Sequence, residues 1–208
     1  MNENGAELIK GLHIPGEPQP ESRFILPTDL CPNPERWNST DGDSSELEVS
    51  ELIGGLIRGL QPDYCLETGS GFGQTTKKIS EALMVNLHGQ LVSLETDSSR
   101  IVFLMGKIGY SCVRIIQENS LTFIPEKMID FAFLDSFYEL RVTEFMHFKP
   151  WMRKGTIVLF HDTAPGRGSH RIESGRDLRD EIEFCLKDFV RFIHLPTPRG
   201  LTICEVLS

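Results

Sequence analysis

An α/β fold is predicted for this 208-residue chain: a doubly wound, mostly parallel seven-stranded sheet closed by a C-terminal antiparallel hairpin. Three observations carry the prediction. Helical and extended patterns alternate from Ser45 onward. The extended segments are apolar throughout, as in a parallel sheet covered on both faces. The last two, "FVRFIHL" and "LTICEV", are joined by "PTPRG", too short for a helical crossover, so they must pair antiparallel.

Half of the 12 prolines (Pro15, Pro18, Pro20, Pro27, Pro32 and Pro34) lie in the first 34 residues. That excludes a helix there and sets residues 1–43 apart as a proline-rich arm, either a disordered leader or a segment folded over the active face. Residues 44–208 form the folded domain. Ser45 and Glu48 make an S-x-x-E capping box, and Val49, Leu52, Ile53, Leu56, Ile57 and Leu60 follow at helical spacing until Pro62. "YCLE" is the first strand, running into a glycine-rich loop and a helix over about residues 74–85. "QLVSLE" is the second strand, after which Asp97 caps a helix carrying Ile101, Leu104, Met105 and Ile108 on one face. "CVRII", "IDFAFL" and "TIVLF" are the third to fifth strands, with a helix over 138–148 between the last two. Leu178, Ile182, Cys185, Leu186 and Phe189 mark the final helix.

Composition narrows the function. A net charge of −9 works against non-specific binding to nucleic acid or anionic lipid. No apolar run approaches the roughly 20 residues that span a bilayer, and "MNENGAELIK" lacks the basic start and apolar stretch of a signal peptide. Cys31, Cys65, Cys112, Cys185 and Cys204 are scattered without a C-x-x-C pair, which points to reduced thiols and a cytoplasmic location. A small-molecule partner is expected, with no nucleic acid and no membrane. A homodimer is an open expectation.

Residues 66–73 read "LETGSGFG". In a doubly wound sheet, ligands sit beyond the carboxyl ends of the strands where strand order reverses, and this loop belongs there. A dinucleotide fingerprint would need glycine three residues after Gly71, where Gln74 stands. Glu67 is also extra to that motif, which needs neutral space for a pyrophosphate. A carboxylate instead suits a cationic cofactor without phosphate. Glu95 ends the second strand, where an acid can grip two ribose hydroxyls. Asn119 and Ser120, after the third strand, offer polar groups where an adenine would lie.

E-x-G-x-G-x-G at the first strand resembles motif I of class I S-adenosylmethionine-dependent methyltransferases. The likeness is closest to the catechol O-methyltransferase-like branch and covers roughly residues 40–206, through "DGDSSELEVSELI", "LETGSGFGQT", "LVSLETD", "VRIIQENSLTFIP", "MIDFAFLD" and "MRKGTIVLFHD". It implies a Rossmann-like methyltransferase fold and S-adenosyl-L-methionine as cofactor. By that likeness Glu67, Gly69 and Thr75 would hold the cofactor's amino-acid end, Glu95 its ribose, and Ser120 would sit by its adenine; Gly71, Gly73 and Asn119 are cofactor-binding candidates beside them. Asp135 is assigned to the cofactor as well.

In that family an acid at the position of Asp135 and an Asp-Asn pair at the position of His161-Asp162 bind magnesium, a hard ion suited to oxygen ligands. Here His161 brings an imidazole, which suits manganese or another transition ion at least as well. A divalent metal on Asp135, His161 and Asp162 is therefore expected alongside the cofactor. Plain structural roles are also available, as a helix cap and a hydrogen-bonded turn. The family's lysine base is replaced by Tyr138, and an unperturbed tyrosine titrates near pH 10. Asp135, His161 and His170 are the candidate catalytic residues. "PGRGSHRIESGR" is a solvated charged loop or one that closes over an anionic substrate.

The expected function is methyl transfer to a hydroxyl oxygen of a small molecule. Two rivals remain: a metal-dependent oxygenase on a related fold, and a non-catalytic cofactor-binding module.

Overall fold

The computed structural model describes Cys31, residues 36–38 and residues 44–208. The proline-rich arm expected over residues 1–43 lies almost wholly outside the described residues, and with it the expected boundary at residue 43.

Seven strands form one sheet in the order β3-β2-β1-β4-β5-β7-β6. They are β1 (Tyr64–Thr68), β2 (Gln90–Glu95), β3 (Val113–Gln117), β4 (Ile129–Leu134), β5 (Met152–His161), β6 (Val190–Leu195) and β7 (Leu201–Val206). The first five run parallel. Strand β7 pairs antiparallel with both β5 and β6, so the hairpin read from "PTPRG" closes the sheet as expected. Strand order reverses between β1 and β4, and this reversal locates the functional crevice.

Helices α1 (Leu47–Leu60), α2 (Gln74–Asn86), α3 (Ser98–Lys107), α4 (Arg141–Phe148) and α5 (Leu178–Leu186) connect the strands. Two apolar layers result, because successive strand residues point to opposite faces. On one face Tyr64, Leu66, Ala132, Leu134 and Phe160 pack with Phe145 and Phe148 of α4 and Ile182 of α5. On the other, Cys65, Leu91, Phe131 and Leu159 pack with Val49, Ile53 and Ile57 of α1 and Ile79 and Leu83 of α2. Full burial of each such side chain contributes roughly 1.5–3 kcal/mol.

Helix ends depart from the sequence reading in two places. Asp97 caps α3 as expected, accepting from the backbone N–H groups of Ser99 and Arg100. The capping box at α1 does not form: Glu46 is the N-cap residue, without a side-chain cap bond. Glu48 instead accepts from the backbone and side-chain nitrogens of Asn38, and Ser45 Oγ meets Thr75 Oγ1 at 2.9 Å, tying α1 to the start of α2. Tertiary partners outcompeted the local cap. The helix expected over 138–148 begins only at Arg141, because Leu140 bonds back to Phe137 in a turn.

The β6–β7 turn presses against the end of β5. Thr163 and Ala164 donate their backbone N–H groups to the carbonyls of Gly200 and Arg199, at 3.1 and 2.9 Å. Gly200 has φ +82°, and a Cβ there would lie 1.9 Å from Ala164 N. Gly200→Ala should therefore destabilise the fold by about 1–3 kcal/mol or more, as other overpacked positions do. Urea denaturation of the variant against the parent chain measures it.

Candidate functional site

A crevice of about 480 Å³ opens at the carboxyl ends of β1, β2 and β4. Gly69, Gly71, Glu95, Asn119 and Ser120 line one half, and Asp135, Tyr138, Arg141, Arg167, Arg171 and Arg199 line the other.

The three loop glycines all have positive φ, but each for a different reason. A Cβ on Gly69 would lie 2.4 Å from the Asp135 carbonyl oxygen, so this glycine lets two strand ends meet. One on Gly73 would lie 2.3 Å from Leu104 Cδ2, so this one lets α2 start against α3. Gly71 has φ +55° and nothing within 4 Å of where its Cβ would be. Gly71 thus bares its backbone to the crevice. Beside it, Glu95 Oε2 accepts from Gly71 N at 2.9 Å, while its Oε1 accepts from the N–H groups of Thr96 and Asp97.

Glu67 and Thr75 do not line this crevice. Glu67 is 1% exposed, and its Oε2 accepts from Thr76 Oγ1 at 2.7 Å and Ser93 Oγ at 2.5 Å. Burial pushes its carboxyl up to about 7 against the pull of those hydroxyls. It posts the loop from below. Ser120 donates to Glu144 Oε1 at 2.5 Å, and Asn119 Oδ1 accepts from Leu121 N.

Asp135, His161 and Asp162 do converge, with one ligand atom from each within 4.8 Å of the others. Asp162 lies just beyond β5 in the left-handed region, φ 61°, which aspartate tolerates better than most residues. Three guanidinium groups meet its carboxylate. Arg199 grips it with Nε at 2.6 Å and Nη2 at 2.9 Å; Arg167 Nη2 lies at 2.7 Å and Arg141 Nη2 at 3.3 Å. Arg141 Nη2 also donates to Asp135 Oδ1 at 2.9 Å. Asp135 Oδ2, by contrast, makes no hydrogen bond to any described residue.

His161 is completely buried, with Nδ1 3.2 Å from Asp135 Oδ1 and Nε2 2.7 Å from Glu46 Oε2. Burial alone would push its proton off, but the charges of Asp135 and Asp162 outweigh that and raise it to about 9. Burial likewise opposes ionisation of Asp162, yet His161, Arg141 and Arg199 hold its carboxyl far below the usual carboxylate range. This donor set does not fit a divalent ion. Both Asp162 oxygens and Asp135 Oδ1 are turned to guanidinium groups, and both imidazole nitrogens face carboxylates. A further cation would have to displace charge-assisted hydrogen bonds and sit beside three arginines.

His170 is exposed and does not line the crevice. The sequence reading missed Glu46, Arg141, Glu144 and Arg199. Arg199, in the middle of "PTPRG", offered one signal: a charged residue in a turn otherwise read only for its length. Arg141 and Glu144 lie in a helix and Glu46 at the entry to one, where charge ordinarily means a solvated face.

A group whose proton is held more tightly in the folded chain stabilises it below its unfolded pKa and loses that contribution as pH rises through its folded value. For His161 the window runs from about 6.5 to about 9. Stability should fall across that window, and His161→Asn should flatten the fall. Urea midpoints at a series of pH values measure both.

Residues 66–163 match the sequence model of a family described as a methyltransferase domain. A search of curated proteins finds no sequence match. Among solved structures, the chain is similar to an O-methyltransferase from Bacillus cereus in complex with SAH (16% identity, TM-score 0.67, 80% of this chain and 84% of that one). It is also similar to the O-methyltransferase TomG from Streptomyces achromogenes, involved in tomaymycin synthesis and in complex with SAM (18%, 0.63, 80% and 82%). The SAH-bound Podospora anserina methyltransferase PaMTH1 matches over 100% of this chain and 97% of its own (16%, 0.64). Among the described residues no helix is long and apolar enough to cross a membrane. Residues 66–163 thus match a methyltransferase-domain sequence model, and the fold is similar to that of solved O-methyltransferases.

Proposed function

We propose that the chain moves a methyl group from S-adenosyl-L-methionine to a hydroxyl oxygen of a small molecule, and that it does so without a divalent ion. The observation that carries the reading is the pairing of Gly71 with Glu95. A bared loop backbone faces open crevice directly beside a strand-end carboxylate. Gly71 would lie against the amino-acid arm and ribose, Glu95 would accept from the ribose hydroxyls, and Asn119 and Ser120 would flank the adenine. The fold's likeness to structures that hold SAM or SAH supports the same placement.

When bound, the cofactor supplies an electrophilic methyl on a sulfonium, open to in-line displacement by oxygen. The chain's part is alignment and charge. Asp135 lines the crevice, and its Oδ2 is available to accept the acceptor's hydroxyl proton. Arg141, anchored by the carbonyls of Ser136 and His161, is held beside Asp135 and would stabilise negative charge growing on that oxygen. This is the service a metal gives in the resembling family. His161 is a buried donor that fixes Asp135, not a proton acceptor at neutral pH. The rival oxygenase reading needs an open metal site, and the guanidinium groups on Asp162 weigh against one.

Calorimetry should show binding of S-adenosylhomocysteine and none of NAD. Glu95→Ala should raise the S-adenosylhomocysteine dissociation constant roughly 10- to 150-fold, the worth of hydrogen bonds to a charged group. NAD binding with no S-adenosylhomocysteine binding would end the methyltransferase reading. Methyl transfer should also persist in excess chelator; loss of turnover that returns with added manganese or magnesium would restore the metal to Asp135, His161 and Asp162.

A further inference from the structure

The acceptor half of the crevice carries more positive than negative charge, although the chain as a whole is at −9. Arg141, Arg167, Arg171 and Arg199 line it against Asp135 and Asp162. Arg141 and Arg199 are committed to those two carboxylates. Arg167 and Arg171 have capacity left. Arg167 Nη2 donates to Tyr138 Oη at 3.0 Å and lies 2.7 Å from Asp162 Oδ1, but its Nε is buried without a hydrogen-bond partner. A buried donor left unpaired is costly, and a ligand acceptor would relieve it. Arg171 is exposed, with its guanidinium 5.7 Å from the centre of the Tyr138 ring and no carboxylate partner among the described residues.

The segment that presents these arginines is anchored along its length. Gly168 has φ +77°, and a Cβ there would lie 2.8–3.0 Å from atoms of Tyr138, so only glycine lets the loop rest on that side chain. Ile172 is buried in the core layer that contains α4 and α5. Leu178 N donates to the Arg167 carbonyl at 3.0 Å, and Gly166 N donates to the Asp177 carboxylate at 2.7 Å. Arg167 is thereby set at the hydroxyl of Tyr138 and Arg171 against its ring, and Tyr138 occupies the position of the resembling family's lysine.

We propose that Arg167 and Arg171, set against Tyr138, form a subsite for a carboxylate on the acceptor, so that the molecule methylated is a hydroxy acid. The planar guanidinium fork matches a carboxylate's two oxygens. A doubly charged phosphate fits less well, because Asp135 and Asp162 share the same wall. The proposal rests on the methyl-transfer reading and deepens it.

The test is calorimetry on the full chain saturated with S-adenosylhomocysteine. The probes are lactate, 4-hydroxybenzoate and 4-hydroxycinnamate, each beside its methyl ester. At least one acid should bind about tenfold or more tighter than its ester, the worth of one charge-assisted hydrogen bond. Arg171→Gln, at an exposed position where folding is not at risk, should erase that difference while leaving S-adenosylhomocysteine affinity unchanged. Arg171→Lys should restore part of it. Equal affinity for acid and ester throughout, or no acid bound, overturns the proposal. So does a loss of S-adenosylhomocysteine affinity in Arg171→Gln, which would give the arginine to the cofactor's own carboxylate. Failure of the parent chain to bind S-adenosylhomocysteine is a different result, and it removes the methyltransferase reading itself.

Discussion

The two-pronged contact between Arg199 and Asp162 holds the site together. Asp162 follows the last residue of β5, and Arg199 sits in the turn between β6 and β7. Both are buried. Removing one partner of such a pair leaves an uncompensated charge in a poor solvent, a loss of about 3–5 kcal/mol, even where the intact pair adds little net stability. The geometry it imposes matters more than its energy. Arg199 also reaches the Ser44 carbonyl through Nη1, and its backbone N–H donates to Glu46 Oε1. The C-terminal hairpin, the end of β5 and the entry to α1 are thus fixed to one another, and the crevice wall is fixed with them.

Around that contact the charges form a closed set. Glu46, Asp135 and Asp162 surround His161, and the arginines surround the acids. The proton on His161 and the negative charge on Asp162 are each held in place by these neighbours. Asp135 keeps one oxygen outside this mesh, and it lies at the seam between the two halves of the crevice. A site of this kind does its chemistry with prearranged charge: the guanidinium groups are in place before a ligand arrives, and little reorganisation is left for the moment of reaction.

The glycine loop shows the same economy in backbone form. Glu67, at the centre of the sheet, points below the loop because strand side chains alternate. There it takes the hydroxyls of Thr76 and Ser93, while Ser93 also meets Ser70 at 2.5 Å. Buried polar groups in one connected network hold a single loop conformation. Gly69 and Gly73 admit neighbouring elements, while Gly71 has open space where a side chain would be.

The sequence by itself determined the fold class, the order of the strands and helices, the C-terminal hairpin and the position of the crevice. Those follow from periodicity, from apolar runs and from the shortness of "PTPRG", all local properties of the chain. It also placed Glu95, Gly71, Asn119, Ser120 and Asp135 at the crevice, since strand ends in this topology converge. Only the tertiary structure decided which carboxylate faces a ligand and which faces a neighbour. Glu67 and Thr75 turned inward because of strand alternation and the packing of α1 on α2. It alone decided, too, what surrounds Asp162. Arg141, Arg167 and Arg199 are separated from it by 21, 5 and 37 positions, and no local pattern announces that four such residues will meet. Charge pairing across the ends of a sheet is a property of the folded chain, and it sets three arginines against Asp162, one of the candidate metal ligands.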